Sequence, residues 1–283
     1  MTKGIVTIKA WKRPYYLQQI LDGILNAYGN DNYDYYISID KHATNNASQK
    51  ILTDFSNKID ANVVIKISST QLGCAGNMKD CQEYAFIHND YDYMIHFEDD
   101  TLPGKDVFLW YEWAREQVKD DNDLFAITPF MTNAGRQKMN NTDLTKSFIY
   151  SGFECQGGFL IERKIHDMIY KHGGIIGIHG YTKGNNIPPE EFKNNVKHIA
   201  LSGSWAVPYN HYFRRIEGLK HCFCPYVSRV NNIGDEDGVW NPSKEWHNKV
   251  VLNENWIKSK QYKNIDFNNI NYDTNILDIT RNL

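Results

Sequence analysis

Three acidic residues in a row, Glu98, Asp99 and Asp100, end an apolar stretch that is typical of a buried strand. Adjacent carboxylates repel one another, so the fold must offset their charge with a cation or with helix N-terminal amides. Hard divalent ions such as Mg²⁺ and Mn²⁺ prefer carboxylate oxygens and keep coordination positions for phosphate. The triplet therefore indicates a metal site; the alternative is that Asp100 or Thr101 caps a helix beginning at Pro103.

Two further polar positions follow predicted strands. Arg13 comes shortly after the β-branched run 4–9, and Asp40 directly follows the run 35–39. In parallel α/β sheets, ligands bind beyond the carboxyl ends of the strands. A carboxylate at position 40 is suited to accept hydrogen bonds from the base or ribose of a nucleotide. The alternative is a turn residue, which position 40 taken alone favours.

The elements that must position these residues alternate between strand and helix. Helical spacing of apolar residues predicts helices from Pro14, around 51–59, over 77–87 and from Pro103. Strands are predicted at 4–9, 35–39, 63–67, 93–97 and 124–128. Five alternations predict a parallel sheet covered by helices on both faces.

The alternation weakens in the second half of the chain. Short strands are predicted at 159–161 and 221–230, and the Asn-rich tail after 260 is expected to drape over the body or to be partly disordered. The fold class is therefore α/β, with a sheet flanked by helices and an elaborated C-terminal half. No repeat or clear linker interrupts the chain, which favours one domain over residues 1–283.

Composition excludes several classes of function. The chain has 283 residues, 41% of them hydrophobic, which suffices for a sizeable core, and a net charge of −3. That charge gives no electrostatic case for nucleic acid or an anionic membrane. No apolar run is long enough to span a bilayer, and the start lacks the features of a signal peptide, so we expect a cytoplasmic protein.

The cysteine pattern also favours the cytoplasm. Five cysteines, an odd number without an export signal, suggest reduced thiols. Cys222 and Cys224 lie beside His221, but a second ligand cluster for zinc is missing from the sequence. We expect these two cysteines to be buried on a strand.

Five segments in the same order resemble one family, the inverting N-acetylglucosaminyltransferase I enzymes, which use a UDP-sugar and Mn²⁺. The resemblance implies a GT-A-type fold, a Rossmann-like mixed sheet flanked by helices with an acceptor-side C-terminal region. The similarity covers roughly residues 4 to 235, with gaps. Its motifs are a strand with aspartate and helix, the Glu-Asp-Asp strand with its aromatic helix, an Asn-containing loop, a Gly-containing strand, and a helix with paired arginines followed by Ser-Arg. These motifs occupy residues 35–52, 93–114, 124–137, 151–164 and 209–234.

The resemblance implies a metal-dependent glycosyltransferase in which residues 1–130 bind a nucleotide sugar, residues 131–260 bind the acceptor and residues 261–283 form a tail. Asp100 would coordinate Mn²⁺ or Mg²⁺, and Asp99 would contact the ribose or the water shell of the metal. The other implied donor contacts are Glu98 with the sugar, Asp40 with the uracil or ribose, Arg13 near the nucleotide and Ser228 near the diphosphate. Residues 234–246 would be a loop that orders over the donor.

The sequence departs from the family at the general base. The family places adjacent acids before its aromatic and paired-arginine stretch, whereas this chain has Asn210 and His211 there. An inverting transfer needs a base for the acceptor hydroxyl. His211 and Glu154 are the candidates, since an unperturbed histidine side chain titrates near neutrality; the alternative for His211 is an ordinary packed or surface histidine. The segment 235–237 is a further source of the base.

Two other functions are compatible with the same residues. A nucleotidyltransferase can share the architecture, although it usually has a Gly-rich loop after the first strand, where this chain has Lys12 and Arg13. A nucleotide-sugar-binding module that has lost catalysis would explain the missing acid pair. The acceptor class stays open between a glycan, a protein, a lipid-linked sugar and, least favoured, a modified base in DNA.

Overall fold

The computed structural model describes residues 3–130, 143–150, 158–170, 218–235, 243–248, 270–275 and 277–279. The strands are β1 (Gly4–Ala10), β2 (Asp34–Ile39), β3 (Val63–Ile67), β4 (Tyr93–Glu98), β5 (Thr101–Pro103), β6 (Leu124–Ile127), β7 (Ser147–Tyr150), β8 (Phe159–Glu162), β9 (His221–Pro225), β10 (Val230–Asn232) and β11 (Leu277–Ile279). The longer helices of the described residues are α1 (Pro14–Leu25), α2 (Asn45–Ser56), α3 (Gly73–Phe86), α4 (Val107–Val118) and α5 (Arg163–Tyr170), and Lys244–Trp246 forms a single helical turn.

Within the described residues, nine strands form one sheet in the order β11-β7-β9-β6-β8-β4-β1-β2-β3. The four strands β4, β1, β2 and β3 pair in parallel, so their carboxyl ends share one edge. β8 pairs antiparallel with both β4 and β6, and β9 pairs parallel with β6. The structure thus confirms the predicted class, an α/β fold with a mixed sheet flanked by helices.

Two apolar layers cover the sheet, and the alternation along β1 shows how. Val6 and Ile8 pack with α1, α2 and α4, whereas Ile5 packs with α3 and α5 on the other face. Every residue of β1 is buried, as expected for a central parallel strand. The same alternation puts Lys9, a charged residue, on the α3 face next to the carboxyl edge of the sheet.

A separate two-stranded ribbon lies beside the acidic triplet. β5 follows the triplet directly and pairs antiparallel with β10, with Thr101 opposite Asn232 and Pro103 opposite Val230. The predicted helix start at Pro103 is therefore wrong: Pro103 ends a strand and α4 begins at Val107. Proline has no N–H to donate and fits a short edge strand as well as the first turn of a helix.

Within the predicted tail, Leu277–Ile279 form β11, which pairs with β7. Two other sequence predictions need correction. The strand predicted over 221–230 is two strands, β9 in the large sheet and β10 in the ribbon. α3 begins at Gly73 rather than Asn77, because the Asp40 carboxylate accepts the N–H groups of Leu72 and Gly73 and stabilises an earlier start.

The remaining predictions can be compared with the described residues. Cys222 and Cys224 are buried on β9 as predicted, and Cys74 and Cys81 are free thiols. None of the helices within the described ranges is both long and apolar enough to cross a membrane.

Candidate functional site

The acidic triplet lies at the carboxyl edge of the sheet, where β4 ends beside β1. Parallel register places Lys9 opposite Glu98, and the ammonium of Lys9 lies 3.0 Å from a Glu98 carboxylate oxygen. Burial opposes the charge on Lys9, but Cys74 and Glu98 outweigh that effect and raise the pKa of the ammonium. Glu98 is therefore neutralised from the neighbouring strand. Lys9 is a site residue that the sequence analysis missed.

Asp99 and Asp100 converge on one cation, the guanidinium of Arg13. Arg13 Nη2 contacts Oδ1 of Asp99 and lies 3.0 Å from Oδ2 of Asp100. The side chains of Arg13, Asp99 and Asp100 are only 14%, 5% and 10% exposed. Burial raises the pKa of Asp99, Arg13 lowers it, and the charge of Asp100 raises it again, so the net shift is upward. The two carboxylates are therefore largely shielded from water, and Arg13 offsets part of their negative charge.

The last residue of β10 and the two residues after it lie against Asp100. Asn232 Nδ2 donates to Asp100 Oδ1 at 3.3 Å, and Ile233 donates its backbone N–H to the Asp100 carbonyl at 2.9 Å. A Cβ at Gly234 would overlap Oδ2 of Asp100 and would lie 3.0 Å from Arg13 Nη1. Only a glycine lets the backbone approach this closely.

A buried histidine extends the network to the next segment. Asn232 Oδ1 accepts the backbone N–H of Gly234 at 3.0 Å and lies 3.1 Å from His247 Nε2. His247 is buried, and burial lowers its pKa. Because Asn232 Oδ1 can only accept, Nε2 of the ring donates this hydrogen bond. Neither Asn232 nor His247 is predictable as a site residue from the sequence, because no local pattern ties residues 232 and 247 to residue 100.

The neighbouring strand ends carry a second group of side chains. Trp11 and His42, which follow β1 and β2, have ring centroids 5.8 Å apart at an interplanar angle of 79°. Within the described part of the chain, the buried indole N–H of Trp11 has no hydrogen-bond partner. These rings border the same carboxyl edge as the acidic triplet.

The predicted nucleotide contacts occupy different positions relative to this edge. Asp40 lies at the edge, but its two oxygens accept the backbone N–H groups of Lys41, Leu72 and Gly73 at 2.7–2.8 Å. Ser228 is fully buried between β9 and β10. Their assignment to the base and to the diphosphate stays a prediction. His211 and Glu154, the predicted bases, lie outside the described residues.

The donor set suits a divalent cation. Among the described residues, no group of three or more His, Cys, Asp or Glu side chains is arranged to enclose a metal. Mg²⁺-type sites commonly use one or two carboxylates and take the remaining oxygens from phosphate and water. Oδ1 of Asp99 and Oδ2 of Asp100 already share one cationic partner, Arg13. Two hard oxygen donors around a shared positive charge fit such an ion.

The sequence matches no family model and no curated protein significantly. Solved structures of similar architecture include S. aureus TarS 1–349 in complex with UDP, at 10% identity and a TM-score of 0.43, covering 64% of this chain and 55% of that one. The mannosyltransferase PcManGT from Pyrobaculum calidifontis, in complex with GDP-Man and Mn²⁺, has 13% identity and a TM-score of 0.43, covering 63% and 51%.

An active-site mutant of LgtC has 11% identity and a TM-score of 0.40, covering 66% of each chain. This chain therefore spans between about half and two thirds of the length of these three structures. Likeness at these values assigns no activity, and the candidate site rests on its own geometry.

Proposed function

We propose that this protein is a metal-dependent inverting glycosyltransferase that moves a sugar from a nucleotide donor, specifically a UDP-sugar, to an acceptor hydroxyl. One observation carries the proposal: Asp99 and Asp100 converge on a single cationic partner at the carboxyl edge of a parallel strand group. This edge is where open α/β sheets bind ligands. A convergent carboxylate pair there is suited to a cation that accompanies a diphosphate.

The triplet divides into distinct roles under this proposal. Asp100, assisted by Asp99, would hold Mn²⁺ or Mg²⁺, and the ion, when bound, would offset the charge that develops on the departing diphosphate. Glu98, already paired with Lys9, would hydrogen-bond the donor sugar and fix its orientation. Preorganised polar groups of this kind need no rearrangement when charge develops.

The strand ends beside the triplet would hold the nucleoside. Trp11 and His42 present two rings at the ends of β1 and β2, where a planar base can pack against them. Asp40 holds the start of α3 next to these strand ends by accepting the backbone N–H groups of Leu72 and Gly73. A contact with the base or ribose would be an additional role of Asp40. The same arrangement leaves the buried indole N–H of Trp11 available to a ligand, as far as the described residues show.

The general base is assigned to His211 or Glu154, which the sequence analysis selected. Asp235 is a weaker choice among the described residues. Burial raises the pKa of Asp235, but hydrogen bonds from Lys244 and Tyr16 together have the larger, opposite effect, so the pKa lies below its ordinary value. A carboxylate held by two donors is a poor acceptor for a hydroxyl proton.

Calorimetry with nucleotides tests the proposal. UDP and several UDP-sugars are titrated with Mn²⁺ and then with chelator, using wild type, Asp100→Asn and the control Asp54→Asn. Asp54 is an exposed acid on α2, so the control makes the same charge change away from the edge. We expect metal-dependent binding by wild type and by the control, and loss of that binding in Asp100→Asn.

Other outcomes identify the alternatives. Failure of the folded wild type to bind any uridine nucleotide would contradict the UDP-sugar donor and lead to guanosine and other donors. Release of pyrophosphate from a nucleoside triphosphate would indicate a nucleotidyltransferase. Tight UDP-sugar binding with neither transfer to any acceptor nor slow hydrolysis would indicate a binding module.

A further inference from the structure

All four carboxylate oxygens of Asp99 and Asp100 already have a donor. Arg13 supplies one nitrogen to Asp99 Oδ1 and to Asp100 Oδ2, while the Trp11 backbone N–H donates to Asp99 Oδ2 at 3.0 Å. Asn232 donates to Asp100 Oδ1. A divalent ion that binds Asp100 must therefore compete with one of these hydrogen-bond donors.

The ion pairs around the triplet show which of these donors a bound divalent ion would repel. Among the ion pairs of the described residues, Glu98 is matched by Lys9 and Asp235 by Lys244, and Arg13 is the cation that contacts both Asp99 and Asp100. A divalent ion bonds carboxylate oxygen at about 2.0–2.6 Å. With the guanidinium 3.0 Å from the same oxygen, the two cations would repel each other strongly at low local dielectric.

Arg13 is also the donor that is able to leave. The Trp11 donor is a backbone amide in the turn after β1, where Lys12 has a φ of 52°. Asn232 is buried in β10 and holds Gly234 and His247 in addition to Asp100. The guanidinium of Arg13, in contrast, stands at the end of a long rotatable side chain and packs 5.5 Å from the Tyr16 ring.

From these contacts we infer that Arg13 is an internal competitor for the divalent cation, which holds Asp99 and Asp100 until metal and nucleotide arrive together. The inference rests on the proposed metal–nucleotide function. Once displaced, the guanidinium stays at the carboxyl edge and pairs with the diphosphate, whose oxygens accept bidentate hydrogen bonds from arginine. Nucleotide binding thereby removes the competitor, and each ligand strengthens the binding of the other beyond their direct contact.

Mn²⁺ binding without nucleotide tests the inference. Free Mn²⁺ is followed by electron paramagnetic resonance for wild type, Arg13→Gln, Arg13→Lys and the control Lys66→Gln. Lys66 lies on the edge strand β3 and pairs with Asp80 of α3, so the control removes the same charge from a different ion pair. We expect Arg13→Gln to bind Mn²⁺ about ten- to a hundredfold more tightly than wild type, the range for one charge-assisted hydrogen bond. Lys66→Gln should stay close to wild type, and Arg13→Lys, which keeps the positive charge, should bind Mn²⁺ less tightly than Arg13→Gln.

The coupling to nucleotide gives a second readout. UDP should increase the Mn²⁺ affinity of wild type by a larger factor than that of Arg13→Gln, since the variant has no competitor to remove. If Arg13→Gln fails to fold, the Arg13 Nε–H resonance of wild type, assigned from its loss in Arg13→Lys, replaces it. That resonance should shift on saturation with diamagnetic Mg²⁺.

The outcomes separate this inference from the proposed function. Equal or weaker Mn²⁺ binding by Arg13→Gln, or an Arg13 resonance unchanged by bound Mg²⁺, overturns the competitor role and leaves the metal site intact. Absence of Mn²⁺ binding by wild type and Arg13→Gln, with and without UDP, overturns the inference and the metal-dependent function together.

Discussion

Replacement of Gly234 by alanine tests whether the close backbone approach to Asp100 sustains the site. The added Cβ would overlap Oδ2 of Asp100 and lie 2.9 Å from its Cγ and 3.0 Å from Arg13 Nη1, so the carboxylate must move by about 1 Å to reach ordinary van der Waals contact. That movement weakens the hydrogen bonds from Arg13 and Asn232 to Asp100. Charge-assisted hydrogen bonds contribute about 1.5–3 kcal/mol, so we expect a loss of about 2 kcal/mol.

The functional loss should exceed this structural cost. A domain with about 5–15 kcal/mol of stability stays folded after a loss of 2 kcal/mol. A 1 Å misplacement of a ligand-binding group, in contrast, costs about a hundredfold in function. Urea unfolding measures the first quantity, and calorimetry with Mn²⁺ and UDP measures the second.

Gly218→Ala is the matched control. Gly218 has a φ of 73°, and an added Cβ there would meet no atom of the described residues within 4 Å. The variant loses about 1–2 kcal/mol through its left-handed backbone alone and should bind like wild type. Binding by Gly234→Ala equal to that of Gly218→Ala would refute the placement of Asp100 in the ligand site.

Two further predictions concern stability. Arg229 and Asp106 form a fully buried ion pair at 3.5 Å. Arg229→Met leaves a buried charge unpaired and should cost about 3–5 kcal/mol in urea unfolding, whereas the double variant with Asp106→Leu should recover most of that loss. If the costs of the two single variants simply add, the two side chains are not coupled. Burial raises the pKa of Asp80, but hydrogen bonds, first from Lys66, lower it overall; the stability this gives is present above about pH 4 and is lost as pH falls through the folded-state pKa. The stability deficit of Asp80→Asn should therefore shrink below about pH 4 in a pH series of unfolding curves, and a constant deficit would contradict the pKa shift.

The first half of the fold was predictable because its signals are local. The apolar runs that became β1 to β4 each lie within a few residues, and Pro14 marks the start of α1 correctly. The acidic triplet was found for the same reason: it directly follows an apolar strand. Alternation of strand and helix also predicts that Arg13 and the triplet lie at one edge of the sheet.

The errors share a physical cause, which is pairing between distant residues. Pro103 has the local signature of a helix start, but Thr101–Pro103 gains backbone hydrogen bonds from Val230–Asn232. The start of α3 depends on Asp40, which is 32 and 33 residues away from the amides it accepts. No window of sequence contains both partners of such contacts.

The site itself was predicted in composition better than in connectivity. The sequence indicated Asp99, Asp100 and Arg13, and the structure brings these three side chains together. It did not indicate that Arg13 neutralises the two aspartates, nor that Asn232 and His247 support Asp100. The metal, the nucleotide and the base at His211 or Glu154 stay predictions.

The ribbon of β5 and β10 has a consequence for the order in which the protein is made. Residues 98–101 leave the ribosome well before residues 230–234, which supply the antiparallel partner and the amide that binds the Asp100 carbonyl. Loop closure over such a separation is slow, and domains assemble as units during synthesis. The nascent chain therefore carries the acidic turn without its antiparallel partner, and the contacts around Asp100 are complete only after residues 230–234 have docked.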